Sequence, residues 1–134
     1  MKIAQYKWTI VDDCIIAVTT DGKMPDAEWK LFVHEMDTKN IKRYLAYVIG
    51  SLDVDSVQRK LGIDVVAKRR IKVSVVNDSA VVRGIITAAS WFGVDITSFP
   101  PDKVREAVKA LGIPENRETA VMVALQTLKR SVTS

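Results

Sequence analysis

Apolar positions along this chain follow two repeats, one of two residues and one close to 3.6, and each change of repeat marks a new element. Ile3 to Val11 carries Tyr6, Trp8 and Ile10 on one side of a period-two pattern, as a strand with one buried face does. Cys14 to Thr20 is apolar almost throughout, which suits a strand covered on both faces. Asp12-Asp13 leaves room only for a tight hairpin between them, although neither residue is the glycine such turns favour. The first two strands are therefore expected to be antiparallel neighbours. After Asp21-Gly22, Pro25 and Asp26 have the chemistry of a helix start. Trp29, Phe32, Val33 and Met36 then recur at helical spacing until the pattern lapses between Asp37 and Asn40.

A third strand is predicted over Arg43 to Ile49, closed by Gly50 and Ser51. Asp53 to Lys68 reads as a helix that turns Val57, Leu61, Asp64 and Val65 to one side, with Asp55 and Gln58 spaced as a capping box. Gly62 falls inside it at a cost of about 1 kcal/mol relative to alanine, which leaves the continuity of this helix open. Ile71 to Val76 is a fourth strand, and Asn77-Asp78-Ser79 supplies caps for a helix that directs Val82, Ile85, Ile86 and Ala89 inward and stops at Gly93. A short fifth strand, Ile96 to Phe99, leads through Pro100-Pro101-Asp102 into a helix carrying Val104, Ala107, Val108 and Leu111. Gly112 and Pro114 end it. A last amphipathic segment, Asn116 to about Arg130, presents Val121, Ala124, Leu125 and Leu128, and either closes over the sheet or pairs with a second subunit.

The order β-β-α-β-α-β-α-β-α plus a C-terminal helix defines an α/β protein: a mixed sheet of about five strands with helices packed on it. Residues 1–114 are expected to form the domain, with 115–134 as a helix appended to it. No repeat, low-complexity tract or linker divides the chain.

Val73-Ser74-Val75-Val76-Asn77-Asp78-Ser79-Ala80-Val81-Val82-Arg83 continues through Trp91-Phe92-Gly93-Val94 to Ile96-Thr97-Ser98-Phe99 and Ala107 to Leu111. In this stretch, and in element order from about Ile3 to Leu111, the chain resembles a STAS domain, the fold of anti-sigma-factor antagonists and stressosome scaffold proteins. The resemblance implies a bacterial, non-enzymatic regulatory module that binds a protein partner: an anti-sigma factor, a kinase or another regulator. It further implies a phosphorylation switch where the third strand hands over to the second helix. The matching segment here is Leu52-Asp53-Val54-Asp55-Ser56-Val57-Gln58. Asp55-Ser56 is present, whereas Val57 and Gln58 stand where a second small residue and a glycine are expected, so Ser56 lies one residue before the usual acceptor. The implied contact surface comprises Asp53, Asp55, Ser56, Val57 and Gln58, with Asn77, Asp78 and Ser79 beside them.

A phosphate on Ser56 would add about −1.5 to −2 charges at a helix N-terminus, whose free amides favour an anion. The other reading makes Asp55 and Ser56 simple caps. Two further functions stay open: a constitutive scaffold that self-assembles into homo-oligomers, and a STAS/SEC14-like binder of a lipid or small apolar ligand. The slightly positive mean hydropathy and the Trp29-Phe32-Val33 stripe suit the last, although a plain core explains both.

Composition narrows the classes. With 48% apolar and 27% charged residues over 134 positions, the chain can build a core without disulfides or metals. Its one cysteine, Cys14, cannot pair within the chain, which favours a reducing compartment. No apolar run approaches the roughly 18 residues of a membrane span and the first residues lack an apolar leader core, so a cytoplasmic protein is expected. The formal charge is +4, and the densest basic cluster, Lys68-Arg69-Arg70 with Lys72, has no interleaved aromatic residues; nucleic acid is not an expected partner. His34 stands alone, without further His or Cys at ligand spacing, so no metal site is expected. Asp12, Asp13 and Asp21 would form a carboxylate cluster only if two loops met, and read first as turn residues. No glycine-rich nucleotide motif occurs, and no cofactor is expected.

Overall fold

The computed structural model describes residues 2–91 and 93–133. The chain runs β1 (Tyr6–Val11), β2 (Cys14–Thr19), β3 (Gly22–Lys23), α1 (Asp26–Thr38), β4 (Arg43–Val48) and β5 (Leu52–Asp53). It continues through α2 (Ser56–Arg69), β6 (Lys72–Val76), α3 (Ala80–Ser90), β7 (Ile96–Phe99), α4 (Val104–Ala110) and α5 (Glu118–Thr133). It is an α/β fold: a five-stranded mixed sheet, ordered β1-β2-β4-β6-β7, with five α-helices among the described residues.

β1 and β2 form the expected antiparallel hairpin, with Val11 opposite Cys14 and Asp12 in the left-handed region at φ 56°. From β2 onward every pairing is parallel. Each crossover steps to the next strand in the same direction, so right-handed connections bring α1, α2 and α3 to one face. α4 and α5 cover the other.

The period-two pattern divides the strands between two cores. On β2, Ile15 and Ala17 face the α1–α3 side, while Cys14, Ile16 and Val18 face α4 and α5. All six residues of β2 are buried, as the unbroken apolar run predicted. β4 and β6 alternate likewise: Ala46, Val48, Val73 and Val75 join the first core, Leu45 and Val76 the second. Ser74 also points to the second side, where its hydroxyl donates to Ala107 O at 2.8 Å. Trp29, Phe32, Val33 and Met36 of α1 are all buried, and Phe32 meets the rings of Tyr6, Trp8, Trp29 and Tyr44 with centroids 5.0–5.9 Å apart. The terminal helix closes over the sheet, burying Val121, Leu125 and Val132 in the second core.

Three details differ from the sequence reading. α2 starts at Ser56 rather than Asp53, because Leu52-Asp53 pairs in parallel with Gly22-Lys23 as a separate two-stranded sheet. The buried positions of α2 are Gln58, Gly62, Val65 and Val66, whereas Val57 and Leu61 are exposed. Apolar spacing misplaced this face because its innermost residues are a capping glutamine and a glycine that accommodates Trp29. Ile10 and Ile3 are also exposed, Ile10 on an edge strand and Ile3 held by a single bridge to Lys23. In α3, Ile86 and Ala89 are buried and Val82 half-buried. The side chains of Ala80, Val81 and Ile85, and Phe92, lie outside the described residues.

Candidate partner-binding surface

Because β2, β4, β6 and β7 are parallel, the loops leaving their carboxyl ends gather along one edge of the sheet. There the β2–α1, β4–α2 and β6–α3 connections are tied together by main-chain and side-chain bonds. Asp21 accepts the Ser51 amide at 3.0 Å and pairs with Lys2 at 3.3 Å; these contacts, the Ser51 amide foremost, hold its carboxyl below the usual carboxylate range. Gly22 N donates to Ser51 O and Met24 N to Asp53 O, at 3.0 and 2.9 Å. Gly50, at φ +77°, passes so close to Asp21 that a β-carbon there would lie 3.0 Å from the Asp21 β-carbon.

Asn77 holds the third loop. It is buried, and its side-chain amide donates to Val48 O at 2.7 Å and to Gly50 O at 3.3 Å. Its Oδ1 accepts the Ser79 amide at 2.6 Å, while Ser79 Oγ caps α3 by accepting Val82 N at 3.5 Å. Asp78 remains exposed beside them. Tyr47, Gly50, Ser51, Asp78, Ser79 and Pro101 line a shallow cleft of about 450 Å³ along this edge.

The start of α2 is equally constrained. Asp55 is the N-cap: its carboxylate accepts Gln58 N at 2.8 Å, and Gln58 Oε1 accepts Asp55 N at 3.1 Å, completing the capping box anticipated from spacing. Gln58 is 2% exposed. Its Nε2 donates to Met24 O at 3.1 Å and approaches Asp26 Oδ1 at 3.4 Å, and its carbonyl accepts the Trp29 indole N–H at 2.8 Å. Gln58 and Asn77, both expected to face a partner, thus have their side chains committed inside the chain; a buried amide must find such partners or carry an unmet desolvation cost. The accessible remainder is Asp53, Asp55, Ser56, Val57, Asp78 and, half-buried, Ser79. Val57 is 69% exposed, next to the Ser56 hydroxyl on the first turn of α2. The glycine-bearing pairs Asp21-Gly22 and Gly50-Ser51 were legible as turns, but nothing in the sequence signalled that Asp21 and Ser51 join.

The remaining candidates fall elsewhere. Asp12 and Asp13 lie at the opposite end of β2 from Asp21, so the three carboxylates form no cluster. Asp12 pairs with Arg117 at 2.8 Å; Asp13 pairs with Arg43 at 2.6 Å, while Arg43 also donates to Leu111 O and Gly112 O. Lys68 and Arg69 pair with Asp37 of α1, and Lys72 with Asp95. His34 is exposed on α1, and Trp91 is 79% exposed. Cys14 is buried, and burial pushes its thiol up to about 12, which leaves it protonated and unreactive. Among the described residues no group of three or more His, Cys, Asp or Glu is placed to hold a metal, and no helix is long and apolar enough to cross a membrane.

Comparison with protein-family models finds no match to this chain, and no curated protein matches it.

Proposed function

We propose that this protein is a non-enzymatic regulatory module of the STAS type, whose partner docks on the exposed segment Asp53 to Val57 and the adjoining Asp78-Ser79 loop. One observation carries the reading: Val57 stands 69% exposed beside the Ser56 hydroxyl, on a turn held from within by the Asp55–Gln58 capping box. An apolar side chain presented on a preorganised turn can bury its surface against a partner with little loss of chain entropy. The exposed Asp53, Asp55 and Asp78 carboxylates stand with Lys23, the strand partner of Asp53, in a mixed-charge rim that favours a partner with polar groups around an apolar contact.

Ser56 supplies a switch. Its hydroxyl is exposed at the first position of α2, where a phosphate would meet the free amides of the first turn. The helix would tolerate the modification, while about −1.5 to −2 added charges would alter a surface tuned to a neutral hydroxyl. The STAS resemblance supports this location; the absence of the second small residue and the glycine makes Ser56 itself, and not its successor, the acceptor in this reading.

Affinity capture with the full chain tests the proposal. Wild type is compared with Val57→Lys, Ser56→Asp and a control at the far edge, Lys42→Ala. The expected result is a partner retained by wild type and the control and lost with both surface variants. The same partners on all four proteins would refute it.

A further inference from the structure

We infer that the space between α2, α3 and the sheet is a binding site for a small apolar carboxylate. α1 and α2 pack closely on each other, whereas among the described residues contact between α2 and α3 is sparse. Between them lies a cavity of about 170 Å³. Its floor is formed by Ala46 and Val75 of the sheet, and its walls by Ile63 of α2 and Ile86 of α3. Ala46, at the centre of β4, contributes only a methyl group where a longer side chain would fill the space.

The cavity is partly open to solvent and its lining is almost wholly apolar, so a guest that covers it removes apolar surface from water. The lining does not ask for water. Among the described residues no buried side-chain polar atom lacks a partner, and the Tyr6 and Tyr44 hydroxyls bond to each other at 3.2 Å. An apolar cavity of about 150 Å³ stays dry and accepts a benzene-sized guest. The size and the lining here call for an apolar body of that scale.

Arg59 supplies the polar half of the ligand. It lines the same cavity, is half-buried, and donates through Nη1 to Val54 O at 2.8 Å. The other half-buried arginine, Arg43, is paired with Asp13. Arg59 has no carboxylate partner among the described residues. Arg59, a lining residue with donors left over beyond the Val54 bond, is the group available to take a carboxylate whose hydrocarbon part lies inside. The site therefore selects an anion over a neutral molecule of the same shape.

Octanoate and 1-octanol are the probes, titrated into the full-length protein with methyl NMR and calorimetry as readouts. Octanoate is expected to shift the methyl resonances of Ala46, Val75 and Ile86, and to bind more tightly than octanol. Arg59→Met should weaken octanoate by roughly tenfold or more, the scale of a charge-assisted hydrogen bond, and leave octanol unchanged. Ala46→Leu should abolish both if it folds; if circular dichroism shows that it does not, the wild-type methyl shifts and Arg59→Met decide alone. Unmoved cavity methyls at millimolar octanoate would overturn the site, and equal octanoate binding by Arg59→Met would overturn its choice of a carboxylate. Ligand binding is read on the isolated chain and partner capture is read with Val57 and Ser56 variants, so the two proposals fail separately.

Discussion

The Trp29 indole lies against Gly62: a β-carbon built on that glycine would stand 2.8 Å from Trp29 Cζ2. Together with the hydrogen bond from Trp29 Nε1 to Gln58 O, this contact sets how closely α1 and α2 approach. It also explains an unbroken helix through a glycine. The propensity lost at Gly62 is offset by a buried indole that a β-carbon at that position would force to shift.

Gly62→Ala should consequently destabilise the protein, although in an exposed helix the same change stabilises by about 1 kcal/mol. The overlap with Trp29 reverses the sign, at a cost of roughly 1–3 kcal/mol as for other overpacked cores. Urea unfolding midpoints test this, and a rise in midpoint would show that Trp29 moves aside freely.

Gln58 and Ser56 are neighbours on α2 with opposite expectations. Gln58→Ala removes the return bond to Asp55 N and the bond to Met24 O from a buried site, and should cost about 1–3 kcal/mol. Ser56→Ala touches an exposed hydroxyl and should change stability by less than about 0.5 kcal/mol. The pair, measured by the same unfolding assay, separates the residue that builds the surface from one that is free to be modified.

Leu125 is fully buried between α5 and the sheet. Leu125→Ala should cost roughly 2–5 kcal/mol, as buried leucine truncations do. Ending the chain at Pro114 uncovers the face carrying Cys14, Ile16 and Val18, and size-exclusion chromatography should then show aggregates rather than a well-behaved species.

Alkaline pH should unfold the protein. Burial pushes Cys14 up from 9.0 to about 12 and Tyr44 from 10.0 to about 12, and raises Tyr6 as well. For each of these acids the folded state favours the neutral form, so their contribution is complete below the ordinary pKa and is lost as pH rises toward the folded value. Stability should therefore fall between about pH 9 and 12, and Tyr44→Phe should make that decline shallower. Unfolding midpoints collected across this range provide the check.

Local patterning was enough to define the five strands of the main sheet and the helices between them, but not the short β3 and β5, along with the antiparallel opening, the buried β2, the inward face of α1 and the capping box at Asp55. Each depends on residues within one turn or one strand length of each other, and hydrophobic period and cap chemistry act over that range. Tertiary structure decided the rest. The inward face of α2 followed from Trp29, more than thirty residues before Gly62 in the chain. The burial of Asn77 followed from carbonyls on a neighbouring loop, and the separation of Asp21 from Asp12 and Asp13 from the length of β2. The open space beside Ala46 depends on how far α3 stands from α2, a distance set by packing across the whole sheet and by no pattern along either helix.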